Sequence, residues 1–460
     1  MDISEGVNRE AGGFSGRGTG PLTSEQVGGA GGATPDQLRP AGDERSETLD
    51  VIRGVAVLGI LSMNIAVFAM PFAGYHNPTV LFEYAGLNRA TYWVVHTLFD
   101  MKMISIFSML FGAGALLYAQ KAAGREGAGR ARSLWLRRMG WLLLIGMLHA
   151  YLIWEGDILV AYALTGLVVW WLRRLSVVWL LAVSAGFLLV AEALMALHGA
   201  SIFWLLQSDE AAKMIGKDGE LSFIAPNDEA LEAQLATLRG DWTTIFGHRA
   251  HVAVMLQTMG FLFFFFWRAA SMMLLGMALY KLGALAGRWS VRRYVGLTAS
   301  GYVVGLPLVI GGIRYNESHG FDPALFNLVG MHFNELGSVG VAVGHLGLIG
   351  ALVKAVPLTC SEVSGSSALR ALLRRLGAVG RMALTCYLLE SVLAGLIFYG
   401  YGLGMAGRLD RLEQQLVVLG VWALLLVLAP WWLARYRFGP VEWLWRSLTY
   451  WRRQPMRRAR

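Results

Sequence analysis

Residues 45–68 read RSETLDVIRGVAVLGILSMNIAVF. Asp50 and Arg53 stand three residues apart at the foot of a run of about seventeen uncharged, mostly apolar residues. That is close to the roughly twenty residues an α-helix needs to cross a bilayer. The run is not alone. With 53–73 as the first, similar stretches recur at 91–118, 135–154, 157–172, 177–198, 252–283, 294–313, 335–357, 381–400 and 415–434. Hydrophobic residues make up 55% of the 460, and charged residues 15%, against about 25% in soluble domains. The mean hydropathy is +0.49. In hydrocarbon a chain must satisfy its own backbone hydrogen bonds. The expected fold class is therefore all-α: a polytopic membrane bundle of about ten transmembrane helices.

The charges between these runs set an expected topology. Arg39, Arg45 and Arg53 precede the first run, and Lys121, Arg125, Arg130, Arg132, Arg137 and Arg138 lie around the second connection. Arg173 and Arg174 follow the fourth run, and Lys281, Arg288, Arg292 and Arg293 the sixth. Lys354, Arg370, Arg374, Arg375 and Arg381 surround the connection after the eighth, and the segment 435–460 is basic again. With ten spans and both termini cytoplasmic, all of these fall on one side, as the positive-inside rule requires. The net charge of +9 is then a topology signal, and nucleic acid is excluded as a partner. The opposite side receives the loop 199–251, which carries Asp209, Glu210, Asp218, Glu220, Asp228, Glu229, Glu232 and Asp241. Within it, PNDEALEAQLATLRG (226–240) predicts a helix capped by Asn227 and ended by Gly240, either a spacer on the bundle or a cover over a cavity. Residues 1–44, rich in Gly, Ser, Thr and Pro, predict a disordered cytoplasmic tail. The bundle occupies 45–434. Cys360 and Cys386 suggest no disulfide framework, and without CxxC or HExxH no structural metal is expected.

Ionisable groups inside spans are costly and mark cavities or partners. Asp100 and Lys102 interrupt the second run, in FDMKMISIFSMLFGAG. Two residues apart, they point to different faces of a helix and call for separate partners. Arg268 lies near the middle of the sixth run and Glu390 about nine residues into the ninth, roughly 13 Å along a helix. Similar depth predicts an Arg268–Glu390 pair. His149 and Asp157 flank the tight hairpin LHAYLIWEGDIL. A carboxylate beside an imidazole sets its tautomer and suits it as a base; the plainer reading makes Asp157 a helix cap and His149 a packing residue. His76, His96, His149, His198, His248, His251, His319 and His332 all fall toward the outer side, and only His345 lies deep. The GxxxG spacings Gly301–Gly305, Gly340–Gly344 and Gly400–Gly404 read as helix packing.

Five ordered stretches, ERSETLDVIRGVAVLGILSMNI, FDMKMISIFSMLFGAGALL, LHAYLIWEGDILVAYALTGL, GRMALTCYLLES and GPVEWLWRSLTY, resemble the YeiB-like family of bacterial integral membrane proteins, which carries a domain of unknown function. The resemblance covers about residues 44–455 and implies multi-pass residence in the bacterial inner membrane. Through Leu49, Asp50, Arg53 and Gly54 the chain is similar, more distantly, to transmembrane acyltransferases such as heparan-α-glucosaminide N-acetyltransferase. Those relatives take acyl groups from cytosolic acyl-CoA and use a histidine at the far side. The resemblance implies acyl-CoA as donor, with Arg53, Arg137 and Arg138 on its phosphates, since a helix N-terminus and a planar guanidinium both suit anions. The far-side histidine matches His76 by position only. Where the family reads ALTNYL, this chain has Cys386 in place of the amide, which removes a polar group there.

Two classes of function follow: transfer of an acyl group to an extracytoplasmic or membrane-bound acceptor, or transport of a small or lipid-linked solute along Asp100, Lys102, Arg268 and Glu390. A scaffold accounts least well for the buried charges. Membrane lipids are expected partners, with a homodimer as the other association considered.

Overall fold

A computed structural model describes residues 47–208, 223–356 and 367–458. The expected tail 1–44, Cys360 and the acids Asp209, Glu210, Asp218 and Glu220 lie outside the described residues. The described chain is a helical bundle with no named strand. Helix α1 (Glu47–Ala69) is buried along nearly its whole length, as its uniformly apolar sequence allows. Around it stand α2 (Gly86–Leu98), α3 (Lys102–Glu126), α4 (Ala128–Leu152), α5 (Leu159–Leu172), α6 (Val177–Leu206) and α7 (Asp228–Leu238). A single long helix, α8, runs Trp242–Lys281 with a π-helical section at Leu256–Phe265. Then come α9 (Val291–Ser318), α10 (Met331–Ala355), α11 (Ser367–Arg381), α12 (Ala383–Phe398), α13 (Arg411–Arg435) and α14 (Pro440–Tyr450).

Every stretch expected to span falls on these helices, 91–118 being divided between α2 and α3. Seven described helices are long and apolar enough to cross a bilayer, and α11–α12, bent by 87°, would make an eighth if counted as one span. The remaining two candidates fail that test for visible reasons. Helix α4 carries Arg137, Arg138 and His149 in its apolar part, and α5 has only 14 residues. The apolar side chains left uncovered on the outer helices, such as Leu189, Leu197, Val303 and Val427, form the surface a bilayer would cover.

Close helix crossings are made at glycines. A Cβ on Gly54 would come within 2.0 Å of the Leu376 carbonyl, and one on Gly380 within 1.8 Å of the Asp50 carbonyl. The glycine of the LDVIRG stretch is thus where α1 touches α11. Gly301 and Gly305 of α9 likewise face Gly340 and Gly344 of α10, so these two GxxxG spacings are packing contacts. Gly400–Gly404 is different: it lies in the turn after α12, with Gly404 at φ 63°.

The predicted helix at 226–240 forms as α7, and Asn227 Oδ1 accepts from the Ala230 amide at 2.9 Å. Its last turn docks on the turn after α12, where the Gly400 amide donates to the Leu238 carbonyl at 3.0 Å. The interruption expected in the second run is real: α2 ends before Phe99 and α3 starts at Lys102, with Met101 between them at φ 61°. A left-handed non-glycine residue is uncommon and is held only where its surroundings demand it. Here it lets Asp100 and Lys102 leave the helix line toward their partners.

Candidate functional site

The break at Asp100 opens on a small recess of about 30 Å³, walled by Ser62, Tyr75, His96, Asp100, Arg411 and Gln414 among others. Asp100 is buried, and a buried carboxylate needs its oxygens occupied. Its Oδ2 faces His96 Nδ1 at 3.1 Å and accepts from Asn334 Nδ2 at 2.8 Å, while Oδ1 accepts from the Tyr75 hydroxyl. Lys102, fully buried, donates to the His96 carbonyl and to Asn334 Oδ1, each at 2.5 Å. The amide of Asn334 therefore joins the two charges, its oxygen on the ammonium and its nitrogen on the carboxylate.

Asn334 stands on α10 beside a second buried pair. Arg268 Nη1 is ion-paired with Glu335 Oε2 at 2.8 Å and donates to the Glu335 carbonyl, also at 2.8 Å. Its Nη2 reaches Ser105 Oγ at 3.1 Å and Ser338 Oγ at 2.6 Å. The acid that pairs with Arg268 is thus Glu335, and the expected Arg268–Glu390 pair is not formed. Glu390 is buried in α12 with its Oε1 without a hydrogen-bond partner. Further along, His332 Nδ1 lies 2.8 Å from Glu192 Oε2, and Glu192, Asp100 and Lys102 all act electrostatically on Glu335. A line of polar groups from α6, α10, α8 and α3 ends at the recess.

The hairpin between α4 and α5 has the expected geometry. His149 Nδ1 and Asp157 Oδ1 are 2.8 Å apart, and Asp157 Oδ2 accepts from the Val160 amide at 2.7 Å. Asp157 is thus both cap and imidazole partner. The pair is sealed: each side chain is 1% exposed, and His149 Nε2 has no hydrogen-bond partner. Tyr387, its ring centroid 5.0 Å from that of His149, covers it. His76 sits beside the recess among Phe72, Tyr75 and Phe326, at ring distances of 5.1, 4.8 and 5.0 Å. Burial pushes its imidazole down to about 4, with Asp100 acting against the shift.

At the other end of α1, Arg53 Nη1 lies 3.2 Å from Asp50 Oδ1 and 3.4 Å from the Gly380 carbonyl. Arg138 lies over Trp445 at 3.6 Å, and Arg446 and Arg53 are the nearby cations acting on it. Arg137 turns outward toward Trp451, 6.0 Å from its ring. Arg53 and Arg138 thus gather at one end, and Arg137 stands at its margin.

The family model described as a protein of unknown function (DUF418) matches residues 279–452. The Escherichia coli K12 protein named Uncharacterized protein YeiB is 31% identical over 411 residues, 88% of this chain and 96% of that one. The chain belongs to the YeiB-like family. The Bacillus subtilis 168 protein named Uncharacterized protein YxaH is 30% identical over 428 residues, 90% of this chain and 96% of its own length. No solved structure matches the chain.

For this YeiB-like chain the structure brings Asp100 and Lys102 together through one amide, joins His149 to Asp157, and leaves Arg268 and Glu390 unpaired with each other. Sequence reasoning missed His96 as a partner of Asp100, and missed Tyr75, Asn334, Glu335 and Glu192. Glu335 fell at the assumed start of a span, and Glu192 stands inside the run 177–198. The cost of a charge in hydrocarbon, applied to those two positions, would have found both. Tyr75 and Asn334 carry no charge and left no such signal.

Proposed function

We propose that this YeiB-like protein is a membrane acyltransferase. In this reading acyl-CoA binds at the basic end of α1, and the acceptor enters the recess from the opposite end. The observation that supports it is the His96–Asp100 pair on the wall of an open recess. With Nδ1–H held by Asp100, Nε2 is the basic nitrogen of His96. It takes the proton of an acceptor hydroxyl or amine as that atom attacks the thioester carbon. The carbon–sulfur bond breaks, and the CoA thiolate leaves and collects a proton. Arg53 and Arg138 hold phosphates, and Arg137 steers them. Nine residues separate Arg53 from Ser62 on the recess wall, about 13 Å along α1, so donor and acceptor ends are not far apart. His149–Asp157 has similar geometry but no access, and here acts as a positioning pair beneath Tyr387. His76 keeps Tyr75 in place.

One observation favours transport instead. The line from His332–Glu192 through Arg268–Glu335 to Lys102–Asn334–Asp100 has the make-up of a charge-compensated path.

The test uses the full chain in vesicles of bacterial lipid extract. CoA binding is followed by calorimetry, and thiol release from acetyl-CoA by colorimetry. Arg53→Ala should weaken CoA binding by about tenfold or more, the loss of a charge-assisted contact. His96→Gln and Asp100→Asn should slow thiol release by about 10²–10⁴-fold and leave CoA binding unchanged, while His149→Gln retains most of the rate. Absence of CoA binding by the wild-type chain, with solute or proton flux blocked by Lys102→Met, would replace this reading with transport.

A further inference from the structure

A second recess lies at the end of the α4–α5 hairpin remote from His149 and Asp157. It has a volume of about 290 Å³ and is lined by Gly129, Arg132, Trp170, Trp171, Arg173 and Arg174. Among the described residues, no acid is part of its walls. Two guanidiniums are ordered by indoles: Arg132 lies 4.7 Å over Trp171, and Arg173 3.9 Å over Trp170 while donating to the Trp170 carbonyl at 2.5 Å. Trp170 is itself fixed by stacking on Trp135, with centroids 4.9 Å apart and planes at 11°. Arg173 is pushed below the ordinary guanidinium range by burial and by Arg174. Like charges are thus held side by side on a stiff aromatic floor, an arrangement that favours an anion.

The surroundings say which anion. Helix α5 has 14 residues, about 21 Å of rise, against a hydrocarbon core of about 30 Å. A short apolar helix draws the membrane boundary down to its end. Trp171 is 58% exposed and Val168 44%, so the recess adjoins a face that lipid chains would cover, and Trp favours that boundary. We propose that this recess binds the headgroup of an anionic phospholipid. Arg132, Arg173 and Arg174 take the phosphate oxygens, and the exposed face of Trp171 lies along the glycerol and the first acyl carbons. The inference is independent of acyl transfer.

The full chain is reconstituted in nanodiscs of phosphatidylcholine doped with phosphatidylglycerol, and the lipid retained on release is read by native mass spectrometry. The wild-type chain should keep phosphatidylglycerol in preference to phosphatidylcholine. Arg132→Gln/Arg173→Gln/Arg174→Gln should lower that retained fraction by about fivefold or more, and Arg292→Gln/Arg293→Gln, in another basic connection, should not. If the triple variant does not purify folded, Arg174→Gln alone, an exposed position, should still lower retention by about fivefold or less. Wild-type retention by the triple variant, or by Arg174→Gln where the triple variant does not fold, would overturn the proposal. So would displacement of the lipid by equimolar inorganic pyrophosphate, which would assign the recess to a soluble phosphate.

Discussion

Arg268 is 9% exposed and faces a buried Glu335. Removing one member of such a pair leaves the other charged and unpaired, which costs about 3–5 kcal/mol, whereas replacing both by apolar residues is often close to neutral. Arg268→Leu and Glu335→Leu should each lower the melting temperature of the detergent-purified chain sharply, and the double variant should recover most of the loss. Glu390→Gln should change it little. A Glu390 variant as damaging as Glu335→Leu would show that the pairing described here is wrong. His76 offers a pH-dependent check. Its imidazole, lowered from 6.5 to about 4, is held neutral by the fold. Its contribution is present above pH 6.5 and is lost as the pH falls through about 4. Between those values His76→Gln should lose less stability than the wild-type chain; equal slopes would place the acid sensitivity elsewhere.

Helix contacts in this chain depend on small residues more than on pattern. Gly54 meets the backbone of α11, and even a methyl group there would stand 2.0 Å from the Leu376 carbonyl. Gly54→Ala should force α1 and α11 apart and cost at least about 1–3 kcal/mol, the usual range for overpacking. Gly140 on α4, where an added Cβ meets nothing within 4 Å, is the control. Gly140→Ala should be neutral or stabilising by up to about 1 kcal/mol, because alanine suits a helix better. Thermal melts of the two variants side by side decide the point. The same economy appears at the start of α12. There Glu442 of α14 accepts from the amides of Leu384 and Thr385 at 2.7 and 3.0 Å and from the Thr385 hydroxyl at 2.5 Å. A carboxylate more than fifty residues on, in sequence, thus caps a helix that its own N-terminal residues leave uncapped, and burial raises the Glu442 carboxyl above its ordinary range.

The connections after α3, α5, α8 and α10 are basic and the loop 199–251 is acidic, and that asymmetry predicts a topology. Reporter fusions after residues 125 and 290 should read as cytoplasmic and a fusion after residue 225 as external, since the basic connections follow the positive-inside rule. An external signal at 125 or 290 would reverse or break this arrangement. The fusions also settle which membrane face each recess serves.

Residence in a membrane, helical class and the positions of the runs could be read from composition and periodicity, because the cost of exposing backbone to hydrocarbon allows few alternatives. Asp100, Lys102 and Arg268 could be singled out for the same reason, and the His149–Asp157 pair because a short hairpin forces its two ends together. Partners across helices could not be read. Arg268 chose Glu335 over Glu390, Asn334 joined Asp100 to Lys102, and Glu442 reached back to α12. Each of these depends on which helix faces sit side by side. That is set by close approach at Gly54, Gly301 and Gly305 and by the break at Met101, not by the spacing of charges along the chain. Access was decided in the same way: the packing of Tyr387 closes His149, and the gap between α1, α2 and α13 leaves His96 open.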